Sequence, residues 1–115
     1  MSKLTTDIAE SPAGIVVRLT GQVGILEVEP LRGQLSRLVA KRPALVVFDL
    51  AGLTFISSLG MGALMEFRRG ATRQGGQVKL AAVQPTVLEA FKAAGLDQVF
   101  PIAESAEAAL AGPAS

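Results

Sequence analysis

Ala44-Leu45-Val46-Val47-Phe48 is the feature that most restricts how this chain can fold. A strand with one face in water alternates apolar and polar residues, and this run does not. It suits a strand covered on both faces, in the middle of a parallel sheet, with Asp49 at its C-terminal end. Parallel neighbours need crossovers, usually helices, and the sequence supplies one on either side. Before the run, Val28, Leu31, Leu35, Leu38 and Val39 recur at helical spacing; Pro30 suits the first turn and Pro43 the stop. Glu27 and Glu29 at the start, with Arg37, Lys41 and Arg42 at the end, match the helix dipole. After the run, a loop over residues 51–56 leads to a second helix over about 58–74. Leu64, Phe67 and Ala71 form its inner face, Arg68, Arg69 and Arg73 lie toward its end, and Gly75-Gly76 ends it.

The remainder repeats the alternation. Residues 78–83 read as another strand of the parallel type. Pro85 opens a third helix with Val87, Leu88, Phe91 and Ala94 along one side, and Gly95 is placed to close it in a left-handed conformation with Leu96 packing back. Gln98-Val99-Phe100 reads as a short last strand, residues 104–111 as an alanine-rich closing helix, and 112–115 as a flexible tail. At the other end, residues 4–9 and 15–20 read as strands joined by the turn Ser11-Pro12-Ala13-Gly14 into an antiparallel hairpin, after which Gly21 and Gly24 break the pattern. The expected order is ββαβαβαβα. It describes an α/β fold with a mixed sheet, antiparallel at the N-terminal hairpin and mainly parallel beyond it, carrying about four helices. A single domain is expected over residues 1–115, with its core at about 3–111.

Composition removes whole classes of chemistry. The chain has 0 Cys and 0 His, so disulfide frameworks, Cys/His zinc sites and His-based catalytic triads are all out. A net charge of +1 offers no footprint for nucleic acid or anionic lipid. No signal peptide is visible at the N-terminus, and a cytoplasmic location is expected. Residues 50–65 hold no charge, but the stretch is shorter than the ~20 residues of a membrane helix and contains three glycines, so no membrane insertion is expected.

Three motifs are candidates for chemistry. Gly60-Met61-Gly62 follows a strand and opens a helix, but the third glycine of a dinucleotide loop is replaced by Met65 and the Gly-Lys-Ser/Thr of a P-loop is absent. Among the carboxylates, Glu27 and Glu29 suit a helix start, and Asp49, without a His, Cys or second acid beside it, reads as structural. The third motif is Ser57-Ser58. Serines there suit helix capping. They also stand in the charge-free stretch, where Leu59, Met61 and Met65 can form an adaptable apolar surface. A phosphoserine carries a charge of about −1.5 to −2. A helix N-terminus tolerates it in the free protein, whereas an apolar contact cannot desolvate it cheaply.

Three blocks resemble the anti-sigma factor antagonists of bacteria, which are single STAS domains. They are Leu19-Thr20-Gly21-Gln22-Val23, then residues 49–62 (Asp-Leu-Ala-Gly-Leu-Thr-Phe-Ile-Ser-Ser-Leu-Gly-Met-Gly), then residues 94–102 (Ala-Gly-Leu-Asp-Gln-Val-Phe-Pro-Ile). The resemblance implies a non-enzymatic partner switch without a cofactor or metal. The unphosphorylated protein would bind an anti-sigma factor with serine kinase activity. Phosphorylation would release it, and a serine phosphatase would restore it. By alignment the phosphorylated residue is Ser58, favoured over Ser57. The implied contact surface comprises Gly24, Ser57, Ser58, Leu59, Gly60, Met61, Gly62 and Met65, on a monomer or weak dimer. Two departures stand out: the family's acid before the phosphorylated serine is Ser57 here, and its acid after the Leu-Thr-Gly block is Gly24. The alternatives are a STAS subunit docked on a membrane transporter's ATPase, and a nucleotide-binding domain using Asp49 and the loop after it.

Overall fold

The computed structural model describes residues 3–112. Its elements are β1 (Leu4–Ser11), β2 (Gly14–Val23), α1 (Ile25–Val39), β3 (Leu45–Asp49), β4 (Leu53–Ile56), α2 (Ser58–Arg73), β5 (Gln77–Ala81), α3 (Pro85–Ala94), β6 (Ile102–Ala103) and α4 (Ala106–Ala111). The sheet runs β1-β2-β3-β5-β6, with β4 paired to β2 beyond the end of β3. β1 and β2 form the antiparallel hairpin, in register from Leu4↔Gly21 to Ser11↔Gly14. The other pairings are parallel.

The unalternating run behaves as expected. Val46 and Phe48 point into the larger core with residues of α1, α2 and α3, while Val47 points into a smaller one against Ala106 and Ala109 of α4. Phe48 meets Phe67 of α2 edge to face, with centroids 5.4 Å apart, an arrangement worth ~0.5–1.5 kcal/mol beyond area burial. Asp49 is structural: its Oδ2 pairs with Arg18 Nε at 3.2 Å and its Oδ1 accepts the Ala51 N–H at 3.1 Å. Gly95 closes α3 at φ 81°, with Leu96 buried behind it.

Four expectations are corrected. Residues 51–56 are not all loop, because Leu53–Ile56 forms β4 and makes the order ββαββαβαβα. Only Leu53 and Ile56 of β4 are buried, so no alternation marked it. β4 forms because β2 continues past Thr20 to Val23 and offers a free edge beyond β3. Gly21 permits that continuation: it lies at φ 107°, and a Cβ there would strike the Lys3 carbonyl. Secondly, α1 begins at Ile25, so Pro30 sits in its second turn instead of its first. There it withholds an N–H only from the carbonyl of Leu26, a residue exposed to solvent. Thirdly, residues 98–100 are not a strand. A 3₁₀ turn spans Leu96–Gln98, and the last strand is Ile102–Ala103. Finally, α4 starts at Ala106, capped by Ser105, whose Oγ accepts the Ala108 N–H at 3.0 Å. Of the expected tail, residues 113–115 lie outside the described residues.

Candidate functional site at the paired helix starts

β2 and β4 run parallel and each leads directly into a helix, so α1 and α2 start side by side. The register Val23↔Ile56 aligns the two strand ends, and the Ser57 N–H donates to the Val23 carbonyl at 2.8 Å. Gly24 and Ser57, the two N-cap residues, therefore occupy equivalent places on adjacent strands.

The structure divides the serine pair. Ser57 is the cap: it is extended at φ −77°, ψ 165°, and its Oγ accepts the Gly60 N–H at 3.1 Å. Ser58 is the first helical residue, exposed, and its hydroxyl has no hydrogen-bond partner among the described residues. One serine caps the helix and the other leaves its hydroxyl unengaged. The first turn of α2 contains no acid, so the positive end of its dipole is uncompensated by its own side chains.

The two glycines of the Gly-Met-Gly segment lie within α2, not in a phosphate-cradling loop. Gly60 is buried, and a Cβ there would lie 2.7 Å from Val23 Cγ1 and 2.8 Å from Ile56 Cγ1. Its role is close packing of the helix onto the strand ends. Gly62 is exposed and a Cβ there would meet nothing within 4 Å, so the fold itself does not require a glycine at that position. Leu59 is 54% exposed, whereas Met61 and Met65 are only partly buried and pack against the core.

Three surface residues escaped the sequence reading: Ile25 (72% exposed), Leu26 (86%) and Phe55 (49%). With Leu59 they make four of the six exposed large apolar side chains among the described residues, and all four lie in two charge-free segments, 19–26 and 50–65. Adjacent strands bring those segments together. The usable signal was the absence of charge across 19–26, which matched that of 50–65. The second omission concerns Glu27. Its carboxylate is buried and accepts the Gly24 N–H at 3.0 Å, the side-chain half of a capping box. A Cβ on Gly24 would lie 3.0 Å from that same oxygen. A carboxylate thus remains at this end, but turned inward and committed to the backbone.

Among the described residues no group of three or more His, Cys, Asp or Glu could hold a metal ion. Among the same residues no helix is long and apolar enough to cross a membrane. The pairing of a strand-borne serine cap with a free neighbouring serine, set in exposed apolar surface, defines a small α/β module built for contact. The STAS domain family model matches residues 5–109, and the chain belongs to that family. The protein "Putative anti-sigma factor antagonist BtrV" of Bordetella bronchiseptica is 33% identical over 109 residues, spanning 95% of this chain and 92% of that one. An anti-sigma factor antagonist from Mycobacterium paratuberculosis shares the fold with a TM-score of 0.85 at 24% identity, over 93% of this chain and 91% of the other. The Bacillus antagonist SpoIIAA, in its unphosphorylated form, superposes with a TM-score of 0.77 at 23% identity, over 90% and 92% of the two chains.

Proposed function

We propose that this chain is an anti-sigma factor antagonist whose contact with its partner is ended by phosphorylation of Ser58. The partner is an anti-sigma factor with serine kinase activity, and a serine phosphatase reverses the modification. The chain performs no catalysis of its own and works in the cytoplasm as a monomer or weak dimer.

The observation that carries this reading is the exposed, unengaged Ser58 hydroxyl at the start of a helix whose first turn holds no acid, beside the exposed apolar side chain of Leu59. The names of the relatives agree with it. A phosphate on Ser58 would meet the positive end of α2 in the free protein, where a negative charge contributes ~0.3–1 kcal/mol of stability. In the complex the same charge would face Leu59, Ile25 and Leu26, or whatever covers them, at a cost of several kcal/mol if unpaired. Since 1.4 kcal/mol is tenfold in affinity, about 3 kcal/mol is enough for roughly 100-fold release. The fold survives and the contact does not.

The test is a titration of the cognate anti-sigma factor with wild type, Ser58→Ala and Ser58→Asp. Ser58→Ala should bind like wild type, and Ser58→Asp at least about 100-fold more weakly, with an unchanged or slightly raised melting temperature. Equal binding by the Asp variant would end the proposal. Mapping of the phosphopeptide after kinase treatment assigns Ser58 against Ser57.

A further inference from the structure

The charges on this chain nearly cancel in sum but are not evenly spread. Ser58, Gly62, Met65, Arg69 and Arg73 follow one another at three- and four-residue steps, so they form one stripe along α2. The stripe is apolar and uncharged at the serine end and basic at the other. Arg69 and Arg73 line an open groove of about 430 Å³ between α1 and α2, whose apolar lining includes Leu35 and Phe67. The groove's one acid is Glu66, and it is already engaged: its Oε1 lies 3.4 Å from Arg32 Nε, an ion-pair contact without hydrogen-bond geometry. Arg32 also reaches Glu29 at 3.2 Å. Arg69 and Arg73 are both exposed and have no acidic partner among the described residues. Compensation of the helix dipole accounts for Arg73, in the last turn, but not for Arg69 a turn earlier.

We infer that the partner-binding face continues along α2 from Ser58 into this groove, which receives an acidic segment of the same partner on Arg69 and Arg73. The inference rests on the reading of Ser58 given above. Charge complementarity identifies the occupant: two unpaired guanidinium groups one turn apart suit carboxylates, and the groove has no other unpaired charge. The rise of an α-helix places Arg69 about 16 Å from Ser58. That separation exceeds the Debye length of ~8 Å at physiological salt, so a phosphate on Ser58 leaves the arginine field intact. The two ends of the stripe therefore have different tasks. The arginines accelerate encounter, and the serine end decides how long the complex lasts.

Kinetics of binding to the cognate anti-sigma factor, at 50 and 300 mM salt, test this. Wild type, Ser58→Asp, R69E/R73E, R69K/R73K and R37E are compared, the last as a charge reversal outside the groove. R69E/R73E should lower the association rate constant about tenfold at low salt and flatten its salt dependence. R69K/R73K should retain most of the rate, R37E should be close to wild type, and Ser58→Asp should act chiefly on dissociation. Melting curves check that each variant folds. If R69E/R73E associates like wild type while Ser58→Asp still releases, the groove proposal is overturned and the Ser58 reading stands. A loss in R37E half as large on a logarithmic scale also overturns it, because R37E changes the net charge by half as much and net charge alone would then be responsible. If R69E/R73E instead abolishes binding to a 20-bp DNA duplex and leaves the partner untouched, the groove serves nucleic acid and the inference is wrong. Should Ser58→Asp bind like wild type, the underlying reading fails first.

Discussion

Replacing Gly60 and Gly62 separately by alanine separates a glycine the fold needs from one it does not. Both lie in the first two turns of α2, and on helix propensity alone each change should stabilise by ~0.5–1 kcal/mol. At Gly60 the new Cβ would lie 2.7 Å from Val23 Cγ1 and 2.8 Å from Ile56 Cγ1. Neither neighbour can swing aside, because both are β-branched, buried and stiff about χ1. The helix start must therefore lift off the strand ends. Overpacking of this kind costs ~1–3 kcal/mol, and two stiff neighbours place it in the upper half of that range, so the net effect is a loss of about 1–2.5 kcal/mol. At Gly62 nothing lies within 4 Å of the new Cβ, and the propensity gain is kept whole. In a domain of this size 1 kcal/mol moves the melting midpoint by about 4 °C. Thermal and urea denaturation should accordingly place Gly60→Ala at least about 4 °C below wild type and Gly62→Ala a few degrees above it. The same Gly62→Ala protein should bind its partner less tightly, because a methyl group now stands on the contact stripe. A Gly60→Ala variant that melts at or above wild type would refute the packing argument. A more stable Gly62→Ala with undiminished binding would remove Gly62 from the interface.

Three further outcomes are expected. Ser57→Ala should lose about 1 kcal/mol through its missing cap while Ser58→Ala changes stability by only a few tenths, and urea midpoints in the reverse order would show that the roles are exchanged. Asp49→Ala should lose about 1–3 kcal/mol, since it removes the buried carboxylate that holds both the Ala51 N–H and Arg18, whereas Arg18→Ala should lose under about 1 kcal/mol because its side chain is 56% exposed; comparable losses in chemical denaturation would contradict this division. Arg42, beyond the end of α1, sits at φ 53°, and Arg42→Gly should raise the melting temperature by relieving a left-handed strain of ~1–2 kcal/mol, less the added entropy of the unfolded glycine. A lowered midpoint would show that Arg42 makes a contact worth more than its strain.

Much of the framework was legible because it rests on local patterns. Residues 44–48 read as a doubly covered strand since five apolar residues in sequence leave no exposed face. The ends of α2 and α3 were readable because Gly75 and Gly95 are the residue type that left-handed helix ends favour. The elements that were missed lack such a signature. β4 has four residues and only its two ends buried, and it exists because a neighbouring strand runs on to meet it. The start of α1 was masked by Pro30, whose usual place is the first turn, while the true cap uses a glycine and a glutamate reaching back from within the helix.

The same division applies to the site. From the sequence alone came the family, the alternation of strands and helices, the charge-free stretch and the serine pair, all properties carried by neighbours along the chain. Which serine is free was decided by the tertiary structure. The Ser57 N–H is drawn to Val23 on another strand, which makes Ser57 the cap and moves Ser58 into the helix with its hydroxyl unengaged. Tertiary structure also brought the segment that carries Ile25 and Leu26 beside the one that carries Phe55 and Leu59, about thirty residues away in sequence, and set two unpaired arginines on the stripe that begins at Ser58. Chain neighbours set local conformation, whereas a surface is composed by strands that become adjacent only on folding.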